Sequence, residues 1–225
     1  MVDWSPFFIS MKTASLSIVI TFFLGLIIAW GIVKLKNDSL KIILDGIFTL
    51  PLVLPPTVVG FFLLYLIGVK GPIGSFFIEF FAIKIAFSWP ATVIAAVVMS
   101  FPLMYRSARG AFEQVDPNLL DAGRTLGMSE WKIFWKVLFA NALPGIISGG
   151  ILAYARGLGE FGASLMIAGN IAGRTRTLPM AVYSDVAAGN MGNAIDYVLI
   201  IVFIAFIAIF IMDFISIRKE KQWRY

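Results

Sequence analysis

The fold class is decided by residues 13–33, which have the sequence TASLSIVITFFLGLIIAWGIV. This stretch contains no Asp, Glu, Lys or Arg, and a helix needs roughly 20 apolar residues to cross the hydrocarbon core of a bilayer. The whole chain of 225 residues is 60% hydrophobic and only 14% charged, whereas about a quarter of the residues in soluble domains are charged. The sequence therefore indicates a membrane protein.

Four further stretches are long and apolar enough to span a membrane. The five predicted spans are residues 13–33, 46–69, 85–105, 138–169 and 195–217. The fourth contains only two charges, Arg156 and Glu160. The first is too long in its uncharged core for a cleaved signal peptide, so we expect it in the mature protein. We predict an all-α membrane protein in which residues 1–225 form one transmembrane domain with five helices.

The distribution of Lys and Arg predicts the orientation of these spans. Loops on one side carry twelve basic residues and loops on the other carry five, and the richer side is assigned to the cytoplasm. The twelve are Lys34, Lys36, Lys41, Arg106, Arg109, Arg124, Lys132, Lys136, Arg218, Lys219, Lys221 and Arg224. The N-terminus is then outside and the C-terminus inside. Because a basic excess of this kind is ordinary in membrane proteins, the net charge of +5 does not indicate nucleic acid binding.

The polar segment between the third and fourth spans, residues 113–137, is predicted to form two short cytoplasmic helices. Asp116 followed by Pro117 is typical of a helix start, Gly127 can end that helix, and Ser129 can cap the next one. The expected apolar faces consist of Leu119, Leu120, Gly123 and Leu126 in the first helix and Trp131, Phe134, Trp135 and Leu138 in the second. From the pattern alone, the segment either grips a partner or merely connects two spans.

Residues 121–127 resemble the EAA loop of ABC importer permeases, in which Glu-Ala-Ala is followed by three residues and then Gly. Here Asp121 replaces the Glu, Gly123 replaces the second Ala, and Ala140 stands where the family usually has Pro. The resemblance implies that this cytoplasmic segment is a coupling helix that sits in a cleft of a separate ATPase subunit. The coupling residues that it implies are Asp121, Ala122, Gly123, Arg124, Leu126 and Gly127.

A second resemblance narrows the family. Residues 152–163, LAYARGLGEFGA, and residues 173–179, GRTRTLP, are similar to the signature of molybdate and sulfate permeases, and residues 50–60, LPLVLPPTVVG, fit the molybdate branch. This implies the permease subunit of an ATP-driven molybdate importer in a prokaryotic cell membrane. The implied partners are a second copy of the chain, two copies of a cytoplasmic ATPase and an extracytoplasmic oxyanion-binding protein.

The chain itself is not expected to be an enzyme. It contains no Gly-x-x-x-x-Gly-Lys-Ser/Thr loop for ATP phosphates, so ATP would be used by the partner subunit. It has no Cys and no His, which excludes thiolate or imidazole metal ligands and histidine bases. We therefore expect a non-catalytic subunit that binds no cofactor and no metal.

Several residues are candidates for a transport pathway or gate. Pro51, Pro55 and Pro56 should break or kink the second span, and broken helices at membrane depth face protein or a water-filled cavity. Arg156 and Glu160 are expected on one helical face, where their charges can neutralise each other. The candidate pathway or gate residues are Arg156, Glu160, Phe161, Pro55 and Pro56. The alternatives are a kinked packing helix and a purely structural ion pair.

Arg174 and Arg176 are predicted outside the membrane, just after the fourth span. Guanidinium groups suit an oxyanion in transit and equally suit carboxylates on a docking protein, while a plain solvated loop is a third possibility. Two rival functions also stay open. A sulfate, thiosulfate or tungstate permease would handle ions of similar charge and shape, and an autonomous secondary carrier or channel would use residues 113–137 only as a connector.

Overall fold

The computed structural model describes the backbone of residues 3–222 and the side chains of residues 3–211 and 214. Within that part the chain forms helices and contains no strand. The helices are α1 (Ser5–Lys34), α2 (Asp38–Val53), α3 (Pro56–Ile67), α4 (Pro72–Phe81), α5 (Trp89–Glu113), α6 (Pro117–Thr125), α7 (Glu130–Ile133), a π-helical segment (Phe134–Leu138), α8 (Phe139–Leu158), α9 (Gly162–Ala168), α10 (Leu178–Ala187) and α11 (Met191–Gln222).

Four helical runs in the described residues are long and apolar enough to cross a membrane. They are α1, α5, Glu130–Leu158 including α8, and the Met191–Ile211 part of α11. Helices α2 and α3 pass the same test together but are bent by 112° where they meet. The prediction of an all-helical protein with several apolar spans is confirmed. The number of five spans, which counts α2 and α3 as one, and the orientation of the termini stay predictions.

Helices α1, α5 and α8 form the core of the bundle. Gly25 of α1 lies directly against Met104 of α5, where a larger residue would clash. Farther along the same pair, Thr21 Oγ1 lies 3.1 Å from Ser100 Oγ. In lipid, helices associate through close packing and interhelical hydrogen bonds, because the lipid tails are as apolar as the side chains. Small and hydroxylated residues therefore determine which faces of α1 and α5 meet.

A second apolar cluster joins α3, α9 and the first half of α5. Gly60 of α3 lies so close to Ala163 of α9 that a Cβ at Gly60 would come within 2.8 Å of the Ala163 Cα. At the same end of the molecule, the Tyr197 hydroxyl of α11 donates a hydrogen bond of 2.7 Å to the Asp3 carbonyl. This end therefore contains the chain start, α3 and the short helix α9, while the segment containing α6 and α7 lies at the opposite end of α5 and α8.

The second predicted span is broken at one proline and not at another. Helix α2 continues through Pro51 to Val53, and the chain bends at Pro55 before α3 begins at Pro56. Proline in a first helical turn costs little, because the N–H that it lacks would have no helical partner there. The expected break is therefore confirmed for Pro55 and Pro56. No break occurs at Pro51, which lies inside α2, and a kink at Pro51 stays a prediction.

The third and fourth spans differ from their predicted limits. Helix α5 begins at Trp89, later than expected, and runs on to Glu113. The predicted span 138–169 is not one helix, because α8 ends at Leu158 and α9 begins only at Gly162. The glycine-rich sequence GLGEFG at residues 157–162 lowers helix stability and accounts for this break.

Candidate functional site

The polar segment between α5 and α8, here called the insert (residues 114–138), forms the two short helices that were predicted. Helix α6 begins after Asp116, whose carboxylate accepts a hydrogen bond of 2.9 Å from the backbone N of Asn118. Gly127 follows with a φ of 73°, a conformation that other residues rarely adopt. Ser129 Oγ then accepts a bond of 3.4 Å from the backbone N of Lys132 at the start of α7. These contacts confirm the predicted helix ends.

Gly123 docks α6 onto α7. It is buried, and a Cβ at this position would lie only 3.2 Å from Ile133 Cγ1. The backbone N of Met128 also donates a hydrogen bond of 3.1 Å to the Gly123 carbonyl. The distance between the two helices is therefore set by the absence of a side chain at residue 123.

The insert continues into the bundle without a loop. The π-helical segment Phe134–Leu138 joins α7 to α8 directly, and the Asn141 amide donates a hydrogen bond of 2.7 Å to the Val137 carbonyl within this wide turn. The Phe134 ring packs on Trp30 of α1, with ring centroids 4.6 Å apart. Because of this continuity, a displacement of the insert would also displace the start of α8.

The outward surface of the insert combines exposed apolar side chains with charges. Leu126 is 81% exposed and Trp131 is 64% exposed. The expected single apolar face of α6 is wrong, because Gly123 is buried and Leu120 packs on the core, whereas Leu119 and Leu126 are exposed. Leu126 follows the last residue of α6, so the helical periodicity used for that prediction no longer applies to it. Exposed apolar groups among polar ones are typical of a protein-binding surface.

Arg124 connects the charges of the insert. Its guanidinium donates hydrogen bonds to Glu130 Oε1 at 2.8 Å and to Asp121 Oδ1 at 2.7 Å. These carboxylates, Glu130 more strongly than Asp121, raise the pKa of Arg124. Asp121, which stands where the family has Glu, is therefore paired with Arg124 within the insert. Its side chain is still 67% exposed.

A polar network that the sequence analysis did not identify joins α2 to the end of α5. Asp45 accepts a hydrogen bond of 2.9 Å from the Tyr105 hydroxyl and forms an ion pair with Arg109. Glu113 pairs with Arg109 and Lys41, both at 3.0 Å. The spacing of Arg109 and Glu113 could have suggested their pair, but Asp45 and Tyr105 are 60 residues apart and have no local signal. The network fixes the start of the bent segment beside the insert.

The two breaks in the helices lie against each other. Gly162 at the start of α9 faces Pro56 at the start of α3, and a Cβ on Gly162 would lie 3.0 Å from the Pro56 Cβ. Glu160, 2% exposed, accepts hydrogen bonds from Arg156 Nη1 at 2.7 Å and from the backbone N of Ala163 at 2.8 Å. Its carboxylate therefore caps α9 as well as pairing with Arg156. The expected pairing of the two charges is confirmed, but their expected place on one helical face is wrong, because α8 ends at Leu158.

The other candidate residues are distributed around these features. Phe161 packs against Tyr183 of α10, with ring centroids 5.3 Å apart and ring planes tilted by 46°. Arg176 donates a hydrogen bond of 2.9 Å to Asn170 Oδ1, while Arg174 is exposed. The buried Thr175 hydroxyl between them accepts a hydrogen bond from the backbone N of Ile171 and donates one to the Gly169 carbonyl, both at 3.0 Å. Arg174 is therefore the more accessible of the two guanidinium groups.

Apolar helices, helix breaks packed at one end and a polar insert continuous with α8 at the other define a multi-pass membrane protein. Residues 21–221 match the family described as binding-protein-dependent transport system inner membrane component, and the chain belongs to that family. The family membership confirms the resemblance to importer permeases. It also implies a substrate-binding protein and an ATPase subunit as partners.

Individual relatives agree with this assignment. The chain is 41% identical over 224 residues to the molybdenum transport system permease protein ModB of Escherichia coli (strain K12), covering 99% of this chain and 97% of the relative. It is 32% identical over 212 residues to a probable sulfate transport system permease protein of Chlorokybus atmophyticus, covering 94% and 73%. Its fold resembles a chain of the inward-facing MetNI methionine ABC transporter, with a TM-score of 0.71, 18% identity and coverage of 92% and 91%. These relatives are permeases, the membrane part of such transporters.

Proposed function

We propose that this chain is the permease subunit of an ATP-driven molybdate importer. The observation that carries the proposal is the 41% identity to a molybdenum permease over 99% of the chain. The geometry supports coupling to an ATPase, because the insert has exposed apolar side chains and is continuous with α8. ATP would be bound and hydrolysed by the partner, and the chain itself would hold no cofactor.

In the proposed arrangement the chain crosses the membrane five times, with the N-terminus outside and the C-terminus inside. Lys41 and Arg109 lie at the same end as the insert, which agrees with a cytoplasmic location for that end. The basic residues at positions 218–224 that entered the prediction lie outside the described side chains. Two copies of the chain would enclose a central pathway, with two ATPase subunits on the insert side and an oxyanion-binding protein on the other.

The proposed coupling surface consists of Asp121, Ala122, Gly123, Arg124, Leu126 and Gly127. Closure of the ATPase dimer around ATP would move this surface, and only a difference in binding between two permease conformations can shift their populations. The displacement would reach α8 through the π-helical segment and α2 through the network around Asp45. Helix α8 ends at Leu158, next to the paired breaks. We therefore propose the region of Arg156, Glu160, Phe161, Pro55 and Pro56 as the gate.

The proposed outer contact involves Arg174 more than Arg176. Arg174 is exposed and available to a carboxylate on the binding protein or to an oxyanion, whereas Arg176 is bonded to Asn170. Replacing Arg174 with Gln should weaken association of the binding protein, measured by titration against the assembled transporter. Unchanged association and uptake would favour a plain solvated loop.

The proposed function is tested by reconstitution of the permease with its ATPase and binding protein in lipid vesicles. ATP hydrolysis and uptake are measured with molybdate, tungstate, sulfate and thiosulfate in turn. Stimulation by molybdate at lower concentration than the other ions supports the proposal. Stronger stimulation by sulfate would favour the rival that the 32% identical sulfate permease suggests. Uptake without ATP would instead indicate a secondary carrier or channel.

A further inference from the structure

A cavity with both polar and apolar walls lies between α5 and α8 on the side of the insert. Its volume is about 650 Å³, and its walls carry Arg106 and Ser107 from α5, Gln114 from the start of the insert, and Asn141 and Ser148 from α8. Asp116 and Leu119 also line it, so the cavity reaches the first helix of the insert. None of the candidate pathway residues named above lies in it.

Small residues create the space and fix its shape. Gly145 and Gly149 of α8 lie directly against Ala111 and Ser107 of α5, in contacts too close for a Cβ on either glycine. Helices α5 and α8 therefore touch along one wall of the cavity. The cavity could close only if these contacts were lost. A Cβ at Gly110, by contrast, would meet no atom within 4 Å, which leaves the front of the cavity open.

Arg106 is the basic group of this lining. Its side chain is 59% exposed, and its ionic contact is a long one of 4.0 Å to Asp45. Asp45 is meanwhile bonded to Tyr105 and Arg109. Among the residues with described side chains, none forms a hydrogen bond with the Arg106 guanidinium, which can donate five. Apart from this long contact with Asp45, the donors of Arg106 are therefore available to a ligand.

The groups around Arg106 are suited to an oxyanion. Two hydroxyls and two amides can donate hydrogen bonds beside the guanidinium, and guanidinium pairs with tetrahedral anions through two parallel bonds. The Asn141 amide already donates one bond to Val137 but has a second N–H. Asp116 also lines the cavity, and its carboxylate caps α6. The negative charge of Asp116 opposes tight anion binding. Weak binding is what a site on a transport pathway requires, because the anion must leave again.

We infer that this cavity is a low-affinity binding site for a tetrahedral oxyanion dianion, with Arg106 as its charged ligand and Ser107, Ser148, Gln114 and Asn141 as hydrogen-bond donors. The inference deepens the proposed function, because it gives the transported anion a site on the insert side of the core. An anion held there contacts α5, α8 and the rim of the insert at once, so its presence is linked to the position of the insert.

The test uses the natural absence of Cys from the chain. Ser148→Cys is introduced into the permease, assembled with its ATPase and binding protein, and labelled with a thiol reagent over a range of molybdate concentrations. The site predicts that millimolar molybdate slows labelling of Ser148→Cys. Ser75→Cys, in the exposed part of α4 at the other end, should label at the same rate with and without molybdate. Gln114→Cys replaces Ser148→Cys if the latter fails to assemble.

Arg106→Gln should raise the molybdate concentration needed for half-maximal protection about ten- to hundredfold, as expected for loss of one hydrogen-bonded charge. Arg106→Lys should recover part of the effect, because a point charge remains without the planar fork. Lys36→Gln removes an exposed positive charge outside the cavity and should change nothing. Protection that persists in Arg106→Gln would overturn the assignment of Arg106.

The outcomes also separate this site from the proposed function. If molybdate, tungstate and sulfate all fail to protect while molybdate-loaded binding protein still stimulates ATP hydrolysis, the anion site is wrong and the importer function stands. If protection occurs but no oxyanion stimulates ATP hydrolysis, the anion site stands and the proposed importer function is wrong.

Discussion

The two ends of the α5–α8 core use charged residues in opposite ways. In the insert, Arg124 pairs with Asp121 and Glu130, and all three side chains are at least half exposed. At the helix breaks, Glu160 pairs with Arg156 while only 1% of the Glu160 side chain is exposed. Exposed pairs contribute about 0–1 kcal/mol and exchange readily for contacts with a partner. A buried pair is costly to disrupt, so the pair of Glu160 with Arg156 stabilises one arrangement of the helix breaks.

The largest effect is expected at the buried end. Glu160→Ala removes both the counter-ion of Arg156 and the cap on the Ala163 backbone N. Breaking a fully buried pair costs about 3–5 kcal/mol, and because the Arg156 side chain is 28% exposed we expect roughly 2–3 kcal/mol. The variant should lose most uptake and show a lower thermal unfolding midpoint in the reconstituted complex, while the ATPase still associates.

Two further variants sharpen this first test. Glu160→Gln keeps an oxygen that can accept from Ala163 but loses the charge, so it should retain more stability than Glu160→Ala. Glu79→Ala removes an exposed carboxylate from α4 and serves as the matched control. Equal stability and uptake in Glu160→Ala and Glu79→Ala would contradict the contrast between the two ends.

The next effect concerns how the insert is held. Gly123→Val places a branched side chain within the 3.2 Å that separates a Cβ at residue 123 from Ile133, and overpacking of this kind costs about 1–3 kcal/mol. The affinity of the permease for the ATPase should fall about tenfold or more, equivalent to about 1.4 kcal/mol. Titration with the purified ATPase measures it. Gly31→Val, at a position in α1 with nothing within 4 Å, should leave the affinity unchanged.

A smaller effect is expected when the insert surface changes but its fold does not. Leu126 is 81% exposed, so Leu126→Ala should leave the thermal stability of the permease unaltered. If Leu126 contacts the ATPase, the affinity should fall by about 1–2 kcal/mol, as for an apolar interface anchor. Ile83→Ala alters another exposed aliphatic residue, 52% exposed, away from the insert. Equal ATPase affinities of the two variants would show that Leu126 is not a contact residue, and a loss of stability in Leu126→Ala would show that Leu126 also supports the fold.

The sequence predicts most of this fold because lipid imposes long apolar runs, and those runs are visible without any knowledge of packing. The ends of α6 and α7 are also local, since Asp116, Gly127 and Ser129 act on residues at most four positions away. The break after Leu158 was not predicted, because hydropathy alone does not distinguish a continuous helix from two helices separated by a glycine-rich turn.

The missing parts of the candidate site share one cause, which is that they depend on contacts between distant residues. The Asp45 carboxylate and the Tyr105 hydroxyl are joined only after α2 folds onto α5. The contact of Gly162 with Pro56 likewise needs α9 to pack on α3. No local pattern in the sequence marks either pair.

The smallest effect is expected where the two ends are connected. The Asp45 side chain is 23% exposed and shares Arg109 with Glu113, so Asp45→Asn leaves Arg109 one partner and should cost only about 0.5–1.5 kcal/mol. If the network transmits movement from the insert to α2, ATP hydrolysis should continue while less molybdate is taken up per ATP. Asp38→Asn, on an exposed turn of α2, should keep the wild-type ratio of molybdate taken up to ATP hydrolysed.

A double-mutant cycle of Asp45→Asn with Tyr105→Phe then decides the mechanism, because residues acting through one hydrogen bond give non-additive changes. Additive losses would mean that Asp45 and Tyr105 merely stabilise α2 and α5 separately.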